Sequence, residues 1–109
     1  MERVFNKLVR DNIPNINANN GEESVTRVLE EDEYRTELYK KLLEEANEVI
    51  SSKTSDETIE ELADVLEILK SIAELNGRTL DDVLKNANQK KLKRGGFEKR
   101  IFLEKTYKK

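Results

Sequence analysis

The sequence predicts a mainly α-helical fold: a helical bundle completed by oligomerisation, with a short two-stranded β-ribbon joining residues 24–29 and 100–105. Three observations lead there. Apolar residues recur at helical spacing over three successive segments. The middle segment is apolar around most of its circumference. Two β-type runs flank the helical body, one near each end of the chain. The 109 residues suit one domain, residues 1–109. At this size only roughly 60–65% of the unfolded surface can be buried, so association is an expected source of stability.

Taken in order, residues 1–21 hold the only proline and a polar NINANNG stretch ending at Gly21, which reads as an irregular arm and turn. Ser24–Leu29 (SVTRVL) and Arg100–Lys105 (RIFLEK) carry β-branched or aromatic residues and are expected to pair. The first helix is expected over about Asp32 to Ser51, with Leu38, Leu42, Ala46 and Val49 in one stripe. After the polar break SSKTSD, the second spans about Asp56 to Asn76, and Gly77 stands where a helix-ending glycine is expected. The third opens at Thr79, which with Asp82 resembles a capping box, and runs to about Arg94 before Gly95-Gly96.

The second helix carries two adjoining apolar faces, one of Ile59, Leu62, Leu66, Leu69 and Ala73, the other of Val65, Ile68, Ile72 and Leu75. A helix of that kind is normally covered on several sides. Three helices supply little cover, so a homodimer or higher oligomer with this helix at its centre is expected, the alternative being a helix sandwiched within one subunit.

Composition narrows the chemistry. There is no cysteine and no histidine, which excludes thiol nucleophiles, disulfides, Cys/His zinc sites and imidazole acid–base catalysis. A net charge of −3, from 20 basic and 23 acidic residues, argues against nucleic-acid or membrane-surface binding. No apolar run is long enough to span a membrane. The opening MERVFNKLVRDNIP lacks the apolar stretch of a secretory signal, so a cytoplasmic protein is the expectation.

Four carboxylates sit where apolar residues belong. At about 100° per residue, Glu45 falls inside the first helix's stripe and Glu48 at its edge, with Glu44 turned further toward solvent. Glu61 falls within the second helix's apolar arc and Asp64 on its border. Ionised and unpaired, each would cost several kcal/mol on burial. A hard divalent cation resolves this. Oxygen-only ligands suit Mg²⁺, with Mn²⁺ as a substitute, and paired acids on facing helices are how bundles build such sites. Acidic pairs are also common on solvated helix faces, and these acids could instead pair with Lys40, Lys41 or Lys70. Lys7 and Arg10 in the arm, with Lys90, Lys91, Lys93 and Arg94 at the end of the third helix, are candidate phosphate contacts. Basic residues at a helix C-terminus also complement its dipole. There is no Walker-type phosphate loop.

The stretch LLEEANEVISSKTSDETIEELADVLEIL resembles the metal-binding core of the all-α nucleoside triphosphate pyrophosphohydrolases, the MazG-like superfamily. Their E-E-x-x-E, spacer and E-x-x-D are met by Glu44, Glu45 and Glu48, then Glu61 and Asp64. NKLVRDNIP and KRGGFEKRIFL look like a short single-domain branch related to phosphoribosyl-ATP pyrophosphohydrolase. The resemblance implies a dimeric or tetrameric Mg²⁺-dependent enzyme that splits a nucleoside triphosphate, or a related phosphoribosyl nucleotide, between its α- and β-phosphates. Many relatives remove non-standard nucleotides. It implies Glu45, Glu48, Glu61 and Asp64 as metal ligands and catalytic residues, Glu45 foremost for activating water. Lys7, Arg10, Lys91 and Arg94 would bind phosphate. The alternatives are a non-catalytic helical dimer that binds nucleotide or metal, and a purely structural helical oligomer. The aromatic residues suit packing better than base stacking and name no base.

Overall fold

A computed structural model describes all residues, 1–109. Its regular structure is entirely helical: α1 (Ile13–Asn19), α2 (Glu31–Ser51), α3 (Ser55–Leu75) and α4 (Leu80–Arg94). The three long helices lie where the apolar spacing puts them, each bound within about one residue of the expected position.

Local chemistry sets these bounds. Thr54 caps α3 by accepting a hydrogen bond from the Glu57 amide at 3.1 Å. Thr79 and Asp82 form the reciprocal capping box at the start of α4, at 3.2 and 3.0 Å. At the end of α3, Gly77 adopts φ +72°. Its amide donates to the Glu74 carbonyl at 3.0 Å, and that of Arg78 donates to Ala73 at 2.9 Å. This is the paired closure of a Schellman motif.

The same closure ends a helix that the sequence reading missed. Residues 13–19 are helical, not irregular. Pro14 lies in the first turn, where its fixed φ favours helix and its missing N–H costs nothing. Asn20-Gly21 ends α1 as Asn76-Gly77 ends α3, with Gly21 and Glu22 amides donating to Ala18 and Asn17 at 3.1 and 2.8 Å.

The β-ribbon is not formed. Residues 24–29 and 100–105 are in no strand, and Val25, Val28, Ile101 and Phe102 stand exposed. An isolated two-stranded ribbon is marginal without a packed face, and no helix covers these runs. Arg27 instead forks onto Glu33 at 2.6 and 2.8 Å, holding its segment to the first turn of α2.

α2 and α3 pack together along an antiparallel hairpin joined by Ser52–Thr54; α3 also touches α4, whereas α1 touches no other helix. The connector is pinned by the Ser52 hydroxyl, 2.7 Å from both the Val49 carbonyl and the Thr58 hydroxyl. The core is thin, with only Leu38, Ile68 and Ala73 buried. Leu43, Ile50, Ile59, Leu62 and Leu66 remain open. Of the two apolar faces of α3, the one carrying Ile68 turns into the hairpin, while Ile59, Leu62 and Leu66 of the other lack cover.

An added Cβ at Gly77 would meet nothing within 4 Å, so Gly77→Ala carries a backbone cost alone. We expect a loss of about 1 kcal/mol, read as a lower urea midpoint with an unchanged denaturant slope.

Candidate metal centre

Hairpin geometry explains why acids distant in sequence meet. Glu45 and Glu61 are equally far along the chain from Lys53, in the connector, and so are the two buried residues Leu38 and Ile68. A register that buries Leu38 and Ile68 therefore also brings Glu45 level with Glu61. Asp64, one turn beyond Glu61, faces the same side of α3.

Each of Glu45, Glu61 and Asp64 offers a carboxylate oxygen, and these three oxygens lie within 4.8 Å of one another; all three residues are half-buried. Glu48 is exposed and outside this triad, yet its charge acts on Glu61. Glu44 turns away to Lys7 and Lys41, at 3.7 and 3.5 Å. Lys40 pairs with Glu37 at 3.0 Å. No lysine neutralises Glu45, Glu61 or Asp64. The one cation on the triad is Arg10, whose Nη2 donates to Asp64 Oδ1 at 2.7 Å, a contact that spacing alone gives no means of foreseeing.

The seam is therefore short of positive charge. Partial burial pushes the Glu61 carboxyl above the usual glutamate range, and the charges of Asp64, Glu45 and Glu48 push it further, as does a hydrogen bond with Glu45. A hard divalent cation would fit. The donors are all oxygen, one cation-bearing side chain already occupies part of the position, and ligands on opposite sides of Mg²⁺ stand about 4.2 Å apart. The triad needs only small movements to reach that spacing.

The basic residues divide into two groups. Lys7 and Arg10 lie against the acidic seam. Lys91 pairs with Glu98 at 3.2 Å and, with Arg94, lines an open hollow that includes Lys90, Gly95, Gly96 and Phe97. Neither Lys91 nor Arg94 pairs with a triad acid: Lys91 is taken by Glu98, and the cation on Asp64 is Arg10.

In the pH window between the ordinary glutamate range and its raised value, Glu61 is protonated more often in the folded chain than in the unfolded one. Its contribution to stability thus falls as pH rises through that window. In metal-free buffer we expect Glu61→Gln to melt close to the unsubstituted protein below the window and higher than it above. Thermal melts across a pH series measure this, and a pH-independent difference would contradict it.

No curated protein and no solved structure matches the chain. Residues 34–96 match the MazG nucleotide pyrophosphohydrolase domain, a stretch that takes in the acidic triad, all of α3 and α4, and α2 after its first turn. Since this is more than half of the sequence, the chain belongs to the MazG nucleotide pyrophosphohydrolase family.

Proposed function

We propose that this protein is a Mg²⁺-dependent nucleoside triphosphate pyrophosphohydrolase, cleaving between the α- and β-phosphates to release a nucleoside monophosphate and pyrophosphate. The observation that carries this reading is the triad of Glu45, Glu61 and Asp64 on one helical seam, with oxygens within 4.8 Å, inside the stretch that matches the family. Glu45, Glu61 and Asp64 hold the cation, and Glu48, one turn from Glu45, completes the set. Bound there, the cation supplies Lewis acidity at the phosphate oxygens. Glu45 orients the attacking water and accepts its proton, carboxylates being the available bases in a chain without histidine. Lys7 and Arg10 neutralise charge on the phosphate chain as the leaving pyrophosphate departs.

The active form in this reading is a homo-oligomer. The single chain exposes 10422 Å², against about 6,200 Å² for a compact monomer of its mass. Its radius of gyration is 18.8 Å, against about 13 Å for a compact chain of its length. The excess surface is on the order of 4,000 Å² per chain, more than the roughly 1,000–2,500 Å² that one partner commonly gives to an obligate interface. A second copy covering Ile59, Leu62 and Leu66 also gives the Lys91 and Arg94 end of α4 an acidic seam to approach.

Incubation with a panel of nucleoside triphosphates and Mg²⁺ tests the reaction. Pyrophosphate with monophosphate is the expected product pair; orthophosphate with diphosphate, or no product from any member, would overturn it. Glu48→Gln and Asp64→Asn are each expected to abolish turnover while the far-ultraviolet circular dichroism stays helical. Sedimentation equilibrium should give a dimer or tetramer mass, and Leu62→Asp should shift it toward monomer.

A further inference from the structure

We propose that Arg10 is an exchangeable cation: its guanidinium occupies Asp64 in the metal-free chain, gives way when the divalent ion enters, and then takes the substrate's phosphate oxygens. The proposal rests on the metal-dependent reading above and adds to it an order of events, with the arm released toward substrate only after the seam is charged.

The geometry points this way at three places. Arg10 Nη2 lies 2.7 Å from Asp64 Oδ1, so the arm contacts one of the triad's carboxylates directly. The arm has few other anchors: α1, which follows it, touches no other helix, Leu8, Ile13 and Pro14 are only half-buried, and Lys7 reaches Glu44 at 3.7 Å. The Arg10 and Asp64 side chains also keep 59% and 41% of their surface exposed. An exposed ion pair of this kind is weak and readily exchanged. A doubly charged ion of small radius gains more from three carboxylates than one guanidinium gains from a single oxygen. Once freed, the guanidinium keeps a planar fork of donors suited to phosphate, and it remains tethered beside the site where the phosphates must lie.

Exchange differs from two simpler roles in what it predicts for the metal and for the substrate. A positioning role, with Arg10 holding Asp64 in place for the ion, requires Arg10→Gln to weaken metal binding. A surface ion pair with no role toward substrate leaves the nucleotide KM unchanged. Exchange alone requires both tighter Mg²⁺ binding, because a competitor has been removed, and a raised nucleotide KM, because the freed guanidinium is lost to the phosphates.

The test is calorimetric titration of the nucleotide-free full-length protein with Mg²⁺, comparing the unsubstituted chain, Arg10→Gln and Arg3→Gln. Arg3 pairs with Glu22 at 2.9 Å, outside the triad, and removes the same charge elsewhere. We expect Arg10→Gln to bind Mg²⁺ about two- to fivefold more tightly, the range that an exposed ion pair contributes, and Arg3→Gln to match the unsubstituted protein. Under saturating Mg²⁺ the nucleotide KM of Arg10→Gln should rise at least about tenfold, as for a lost charged hydrogen bond. Equal or weaker Mg²⁺ binding by Arg10→Gln, equal tightening by Arg3→Gln, or an unchanged KM would each overturn the exchange. So would absence of Mg²⁺ binding in all three proteins, whereas failure of the family reading would be seen separately, as a lack of pyrophosphate in the turnover assay.

Discussion

The structure depends on a conflict placed along the α2–α3 seam. The faces that join the two helices carry both the apolar residues that hold them together and the carboxylates that drive them apart. Leu38 and Ile68 are buried, while Glu45, Glu61 and Asp64 hold their oxygens within 4.8 Å of one another. Partial burial, and then like charges at that separation, raise proton affinity, and the Glu61 carboxyl responds in that direction. An apolar seam would be more stable and would bind nothing. The seam is a helical interface held at a cost, eased within the chain by Arg10 on Asp64 and, in the proposed reading, by a bound cation, which is how binding energy can be coupled to the ordering of a site.

That conflict was legible in the sequence because helical periodicity is a strong signal. Placing Glu45 and Glu61 on apolar arcs needs only the spacing of Leu38, Leu42, Val49, Val65 and Ile68, and the short connector then brings the arcs together. Helix ends were legible for a similar reason, since Thr79, Asp82 and Gly77 act through local backbone bonds that no distant contact overrides. The residues that failed to read correctly depend on longer-range choices. Residues 24–29 and 100–105 have β-type side chains, yet strand formation needs a partner and a packed face, and the helices provide neither. The helix at 13–19 was hidden by reading Pro14 and Asn-Gly as turn signals, when proline in a first turn followed by Asn-Gly at the end also describes a short helix. Arg10 on Asp64 joins residues 54 apart in sequence, and no periodicity encodes such a contact.

The basic residues show how the helical layout divides labour. Lys7 and Arg10 approach the seam through an arm held chiefly by side-chain ion pairs, whereas Lys91 and Arg94 ride on α4, a regular helix rooted by its capping box and by the Schellman turn before it. One group is tied directly to acids of α2 and α3, Lys7 to Glu44 and Arg10 to Asp64, and the other is fixed within its own helix. In the proposed hydrolase reading, a phosphate chain several ångströms long would use both kinds of contact: one set in a helix to fix its register and one beside the acids to meet charge as bonds break. Within one chain Lys91 pairs with Glu98, and no triad acid pairs with Lys91 or Arg94. Under the proposed homo-oligomer, the uncovered apolar face of α3 and the lack of any pairing between these basic residues and the acids would have one solution: the copy that buries Leu62 and Leu66 would also be the copy placed to present its basic helix end to the seam.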